Sequence, residues 1–332
     1  MLLISVGYPI GNNPTMSHSD VDMQALQALR SQFSQALKDF ASSSSTNFKI
    51  LRSVPPSLPP SSSPIRTLYV LDSSFNPPSK AHLSLAKSAL KSSNASQSSA
   101  SDARVLFLLA TVNADKKPKP ADFEDRLIMM TLMAEELRSA FTTSGPAASA
   151  PAVDVGITKQ PYFIDKAVSI DESSVYTSSS PNPETHFRQI HLTGFDTLIR
   201  IFTAKYYQDH DPPLSALEPF LTRHRVRATV RVDKNSPSKN LQDTTTGEND
   251  LSSVEDQKAY LKGIADGQKE AEGAKREWAE RVELVVDDSG ETEGVSSTKI
   301  RNAAKAGEWD EVNALVGKGV GEWIREQGLY RE

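Results

Sequence analysis

The chain of 332 residues contains no cysteine, which excludes disulfides and thiolate zinc sites and fits a reducing compartment without requiring one. It also lacks any apolar run of the roughly 18–20 residues that a bilayer-spanning helix needs. A basic excess is missing: 37 Lys and Arg face 42 Asp and Glu, for a formal net charge of −5 and a pI near 5.8. A protein that coats nucleic acid is therefore not expected, because duplex binding needs a dense Lys/Arg surface. Internal repeats are absent as well. The apolar segment 2–10 has no basic residues ahead of it and reads as part of a disordered leader over 1–16, with Met16 an alternative start. Together these absences predict a protein of the cytosol, the nucleus or both, with no membrane span and no nucleic-acid partner.

What is present is enough apolar sequence for a large core. Hydrophobic residues make up 38% and charged residues 24%, so a polar excess must go into loops. Met23, Leu26, Leu29, Phe33, Leu37 and Phe40 recur at helical spacing and predict an amphipathic helix over 17–41, a face that could dock a protein partner. A Ser/Pro-rich stretch over 42–64 reads as a linker rather than a core element. From residue 65 to 332 apolar runs alternate with helical patterns. Strands are expected at 67–71, 104–109, 153–157, 189–193, 226–232 and 282–286, and helices at 81–91, 123–141, 162–168, 197–206, 214–223 and 298–306. This predicts an α/β fold: a Rossmann-like, doubly wound parallel sheet of about five to six strands, with a C-terminal helical subregion. The stretches 92–102, 142–151, 171–183 and 235–253 read as Ser/Pro-rich surface insertions.

Four constellations fall at the carboxyl edge of the predicted sheet, where ligands bind in this architecture. Asp72-Ser73-Ser74-Phe75-Asn76-Pro77-Pro78-Ser79-Lys80-Ala81-His82 follows the first strand, and a helix opening there would aim free N–H groups and His82 at an anion. Taken alone, a Pro-Pro turn with His82 as a packing residue explains it better. Ser296, Ser297 and Thr298 precede Lys299 and Arg301, and cations at a helix N-terminus oppose its dipole unless an anion sits there. An ordinary Ser/Thr cap is the alternative. Asn113 to Lys117 follows the second strand with Lys116 and Lys117, point charges suited to a triphosphate. Gly194 and Asp196 follow another strand and could meet a ribose diol, or simply form a capped turn. Coincidence at four edges is less expected than at one.

Those residues resemble the nicotinamide mononucleotide adenylyltransferases, and within them a divergent fungal branch linked to filamentation and protein quality control. Ser74-Phe75-Asn76-Pro77 with Ser79 and His82 resembles the family's N-terminal nucleotide motif, and Ser296-Ser297-Thr298-Lys299-Ile300-Arg301 its C-terminal phosphate motif. Val112-Asn113-x-Asp115-Lys116-Lys117 and Leu192-Thr193-Gly194-Phe195-Asp196 are similar to its intermediate loops, and residues 323–330 to its final helix and tail. The similarity spans about residues 66–330.

The resemblance implies transfer of AMP from ATP to nicotinamide mononucleotide (NMN), giving NAD and pyrophosphate, with Mg²⁺ carried mainly on the ATP phosphates rather than in a protein cage. His82, Lys117 and Arg301 would be catalytic. ATP would meet Ser73, Ser74, Phe75, Ser79, His82, Lys116, Lys117, Gly194, Asp196, Ser296, Ser297, Thr298, Lys299 and Arg301. The acceptor would meet Asn76, Tyr162, Phe163, Tyr206 and Tyr207. The chain departs from the family pattern at Ser73, where glycine is usual, and in the loop Gln160-Pro161-Tyr162-Phe163, where a stacking tryptophan is usual. The alternatives are an ATPase, a related nucleotidyltransferase with another acceptor, or an ATP-binding module in protein quality control.

Overall fold

Among the described residues, short runs of Val, Ile and Leu bounded by polar segments set seven strands: β1 (Phe48–Val54), β2 (Thr67–Asp72), β3 (Ala103–Ala110), β4 (Ala152–Thr158), β5 (Arg188–Gly194), β6 (Arg225–Val230) and β7 (Val282–Val286). The helices are α1 (Met23–Ser42), α2 (Lys80–Ala95), α3 (Phe123–Thr142), α4 (Phe163–Glu172), α5 (Phe195–Ile201), α6 (Glu218–Arg223), α7 (Val254–Ala265), α8 (Ser297–Ala306), α9 (Trp309–Leu315) and α10 (Lys318–Glu326), joined in places by short 3₁₀ turns. The computed structural model describes residues 22–58, 65–95, 103–112, 121–142, 150–176, 187–230, 253–287 and 294–331.

The strands form one sheet in the order β1-β4-β3-β2-β5-β6-β7. β1 is antiparallel to β4 and every other pairing is parallel. Counted from β2, the six parallel strands lie in the order 3-2-1-4-5-6, so the chain reverses direction across the sheet between β2 and β5. That reversal opens a crevice beyond the carboxyl ends of the two strands.

Alternation along each strand divides the core. Tyr69 and Leu71 of β2, with Val105, Phe107 and Leu109 of β3, face a layer built from α1, α2, α3 and the C-terminal helices. Leu68, Val70, Leu106 and Leu108 face the other way, toward Ile170 of α4 and Tyr176. Farther along, α5, α6 and α7 close over Val226 and Ala228.

The N-terminal boundaries are corrected by this packing. Asp22 caps α1 by accepting a hydrogen bond from the Ala25 N–H at 3.0 Å. Leu26, Phe33 and Phe40, seven residues apart, are buried with α3 in the main core. Arg30 reaches across to Asp125 with two bonds of 2.7 and 2.8 Å. The expected linker over 42–64 contains β1, an edge strand registered on β4 from Phe48↔Thr158 to Val54↔Val153. Its flanking Ser and Pro residues hide a seven-residue strand.

The insertion expected over 171–183 is corrected too. Asp171 and Glu172 form the end of α4, and Tyr176 is 3% exposed, donating to Asp154 Oδ2 at 2.9 Å. The polar residues there serve buried partners, which composition cannot reveal. The insertion expected at 92 likewise begins inside α2.

Candidate active site

The β2–α2 turn builds the first half of the site. Ser73 continues the β2–β3 pairing through its N–H to Leu108 O, and Ser79 caps α2, its carbonyl accepting from Leu83 N–H at 3.2 Å. His82 stands three residues past that cap. Its Nδ1 accepts from the Ser79 N–H at 3.1 Å and contacts Ser79 Oγ at 2.8 Å, the reach-back that a Glu makes in a capping box. With Nδ1 accepting, the ring proton is on Nε2, which donates to Ser73 Oγ at 2.9 Å. Phe75 adopts a left-handed backbone, φ 44°, a conformation that costs about 1–3 kcal/mol in a non-glycine residue. Its fully buried ring, 5.3 Å from the His82 ring and 5.8 Å from that of Phe107, holds it there.

Two cavities open at the crevice between β2 and β5. One cavity, about 280 Å³, is walled by Ser73, Ser79 and His82 on one side, Gly194 and Asp196 on another, and Ser296 and Ser297 at the start of α8. Ser296 caps α8, accepting from the Lys299 N–H at 3.1 Å. Thr193 lies in the same wall, and its Oγ1 is buried with no hydrogen-bond partner among the described residues. A buried orphan hydroxyl is costly unless a ligand or water meets it. A Cβ added to Gly194 would meet nothing within 4 Å, so protein packing does not require glycine there.

The other cavity, about 320 Å³, carries Tyr162, Phe163, Tyr206 and Tyr207 together with Ser73, Ser74, Lys166 and Arg200. Tyr162 is exposed, whereas Phe163 is half sunk, its ring edge-on to His191 at 4.8 Å and to Phe220 at 4.9 Å. Burial, with Asp165 and Tyr206 nearby, pushes the Tyr207 hydroxyl up, so it stays protonated as a donor. Asp72, Ser73 and Thr197 line both cavities.

Other expected site residues line neither cavity. Asn76 is buried, its Oδ1 accepting from the Tyr330 hydroxyl at 2.9 Å. Arg301 donates to the Asn76 carbonyl at 2.8 Å and to Thr298 Oγ1 at 3.0 Å, and Ser297 Oγ donates to the Pro77 carbonyl at 2.9 Å. Arg301, Asn76 and Thr298 therefore clamp the start of α8 onto the β2–α2 turn and are not among the residues that wall either cavity. The same holds for Phe75. Lys299 turns away to Glu311 at 3.1 Å. Lys116 and Lys117 lie outside the described residues.

Sequence reasoning gave no individual role to Asp72, Lys166, Thr197 or Arg200, all of which line the cavities. Lys166 Nζ sits 2.6 Å from Asp72 Oδ2 on the wall of the tyrosine-lined cavity. One signal was available: Lys166 interrupts the inward stripe of Phe163, Ala167 and Ile170 on α4, and a charge on that face calls for a partner.

No family model matches the chain. A curated Schizosaccharomyces pombe protein named "Putative nicotinamide mononucleotide adenylyltransferase" is 30% identical over 266 residues, covering 80% of this chain and 87% of that one. Among solved structures, Plasmodium falciparum nicotinic acid mononucleotide adenylyltransferase, complexed with NaAD or with APC, aligns at 13% identity over 80% of this chain and 97% of its own, with TM-scores of 0.47 and 0.45. Among the described residues no helix is long and apolar enough to cross a membrane. With the S. pombe relative matched at that identity over most of both chains, this chain belongs to the nicotinamide mononucleotide adenylyltransferase family and is an enzyme of the nucleotidyltransferase type.

Proposed function

We propose that the protein transfers AMP from ATP to NMN, giving NAD and pyrophosphate. The observation that carries this reading is the pair of cavities that share Asp72, Ser73 and Thr197. A transfer between two nucleotides needs two seats that meet where the phosphates react. ATP would place its phosphates between the N-termini of α2 and α8, where free N–H groups favour anions. The aromatic walls of the other cavity would take the pyridine ring. An oxygen of the acceptor phosphate attacks the α-phosphorus, the bond from that phosphorus to the α,β-bridging oxygen breaks, and pyrophosphate leaves with the electron pair. Positioning and charge stabilisation suffice for this step, and it needs no protein nucleophile.

Mg²⁺ fits the reading as an ion carried on ATP, where it would neutralise the departing pyrophosphate. Asp72 and Asp196 are the carboxylates on that cavity's wall, and Asp72 is already paired with Lys166. Either carboxylate would be placed to receive one of the ion's waters.

Arg200 favours a second acceptor. It is exposed on the acceptor-side cavity and has no ion pair among the described residues, so a pyridine carboxylate, as in nicotinic acid mononucleotide, would find a partner there. Purified protein is incubated with ATP, Mg²⁺ and either mononucleotide, and the products are separated by chromatography. NAD formed from NMN supports the proposal. Product from the acid alone moves the assignment to the second acceptor, and phosphate release without a dinucleotide overturns both.

A further inference from the structure

We propose that Ser73 is a catalytic residue and that His82 acts through it: the Ser73 hydroxyl, polarised by the His82 Nε2–H, donates to a non-bridging oxygen of the ATP α-phosphate. This deepens the adenylyl-transfer reading and rests on it.

The hydrogen bonds of His82 fix its tautomer. His82 Nδ1 is occupied as an acceptor by the Ser79 N–H at 3.1 Å, which leaves Nε2 as the ring's only donor. That donor is 2.9 Å from Ser73 Oγ. A serine oxygen that accepts one hydrogen bond still has its own O–H to give, and accepting makes that O–H a better donor. This arrangement also excludes His82 as a base for Ser73, because the nitrogen facing the hydroxyl already carries a proton. Ser73 is therefore a donor and not a nucleophile.

Position supplies the second half. Ser73 lines both cavities, whereas His82 lines only the phosphate-side one. The atom that must be reached by both substrates is the α-phosphorus, and Ser73 stands at that junction. In the transition state, charge builds on the non-bridging oxygens, where a fixed donor is worth most. His82 is ordered from behind by Phe75 and locked in register by Ser79, so the relay is preorganised. No proton is transferred and no covalent bond to the protein forms.

A double-mutant cycle tests this. Ser73→Ala, His82→Ala and the double variant are compared for kcat, for each KM, and for ATP affinity by calorimetry. Each single variant is expected to lower kcat about tenfold while KM for the acceptor stays within about twofold. The double variant is expected to fall no more than about threefold below the worse single one, because residues acting as one unit are non-additive. Additive losses near a hundredfold, or a wild-type kcat in Ser73→Ala, would overturn the relay. If His82→Ala does not fold, the cycle is run with His82→Asn, whose amide can meet Ser79 but is too short for Ser73. Should the wild-type protein turn over neither mononucleotide, the adenylyl-transfer reading fails; the cycle is then read on ATP affinity, where additive losses sink the relay by itself.

Discussion

His82 and His224 make nearly the same local bonds at opposite edges of the sheet, and their fates differ. Each ring accepts a backbone N–H at Nδ1, from Ser79 in one case and from Gln189 in the other, both at 3.1 Å. At the amino edge the His224 Nε2–H ends on Asp171 Oδ2 at 3.0 Å, and the ring is 2% exposed. A carboxylate only accepts, so the chain of bonds stops inside the protein. At the carboxyl edge the His82 Nε2–H meets a hydroxyl, which has a hydrogen to pass on toward the cavities. Hence similar chemistry stabilises at one edge and remains available for work at the other.

The sharpest contrast is expected from the amino edge. Arg104 is 4% exposed and binds Asp154 through two bonds of 2.9 and 2.6 Å, while Ser53 and Tyr176 also donate to that carboxylate. Arg104→Met should cost about 3–5 kcal/mol of stability, because it strands a buried charge. Urea unfolding measures this, and a loss below about 1 kcal/mol would show the amino edge is not structural. Next comes the cavity wall. Lys166→Met leaves Asp72 unpaired on the wall shared by both cavities, where the proposed transfer brings two phosphates together, and both KM values should rise about tenfold through charge repulsion. Adding Asp72→Asn should recover most of the loss; a double variant as poor as Lys166→Met would point to a direct role for the ammonium.

A pH effect of similar or smaller size follows from His191. Burial, with His224 and Lys166 close by, holds its pKa well below the ordinary 6.5. The unfolded chain therefore binds a proton that the folded chain refuses, so stability falls as pH drops below about 6.5, by at most about 1.4 kcal/mol per pH unit. His191→Gln should flatten that slope in thermal unfolding between about pH 6.5 and 5. Asp171 acts in a lower window. Burial opposes its ionisation, but hydrogen bonds from His224 and Gln189, with Arg223 beside it, outweigh burial and depress its pKa below the ordinary 3.8. Its contribution is present above that value and is lost on further acidification. The smallest effect belongs to the surface: Lys262→Ala breaks an exposed pair with Asp266 and should change stability by less than about 0.5 kcal/mol. A larger change would mean that exposure is a poor guide to which bonds matter.

The doubly wound sheet was legible because buried parallel strands read as continuous apolar runs, and right-handed crossovers leave few ways to arrange them. That Ser73, Ser79, His82, Gly194, Asp196, Ser296 and Ser297 would come together was legible from their places at strand ends and helix starts, and the fold brings all seven to the wall of one cavity. β1 was not, since Ser and Pro on both sides outweigh seven residues of alternation. Asp72 and Lys166 escaped for another reason: their meaning lies in a pairing across 94 positions of sequence that only the fold creates. Arg301 was assigned to phosphate from its motif, and its bonds to Asn76 and Thr298 show a clamp between α8 and the β2–α2 turn.

The central claim is one split site across the β2/β5 crevice, and calorimetric titration of NAD tests it most directly. A dinucleotide must lie in both cavities at once, so His82→Ala on the phosphate side and Tyr206→Ala on the acceptor side should each weaken NAD by about tenfold. In the same titrations ATP should weaken only in His82→Ala. NAD affinity unchanged in either variant would contradict the account, because one of the two cavities would then hold no part of the product.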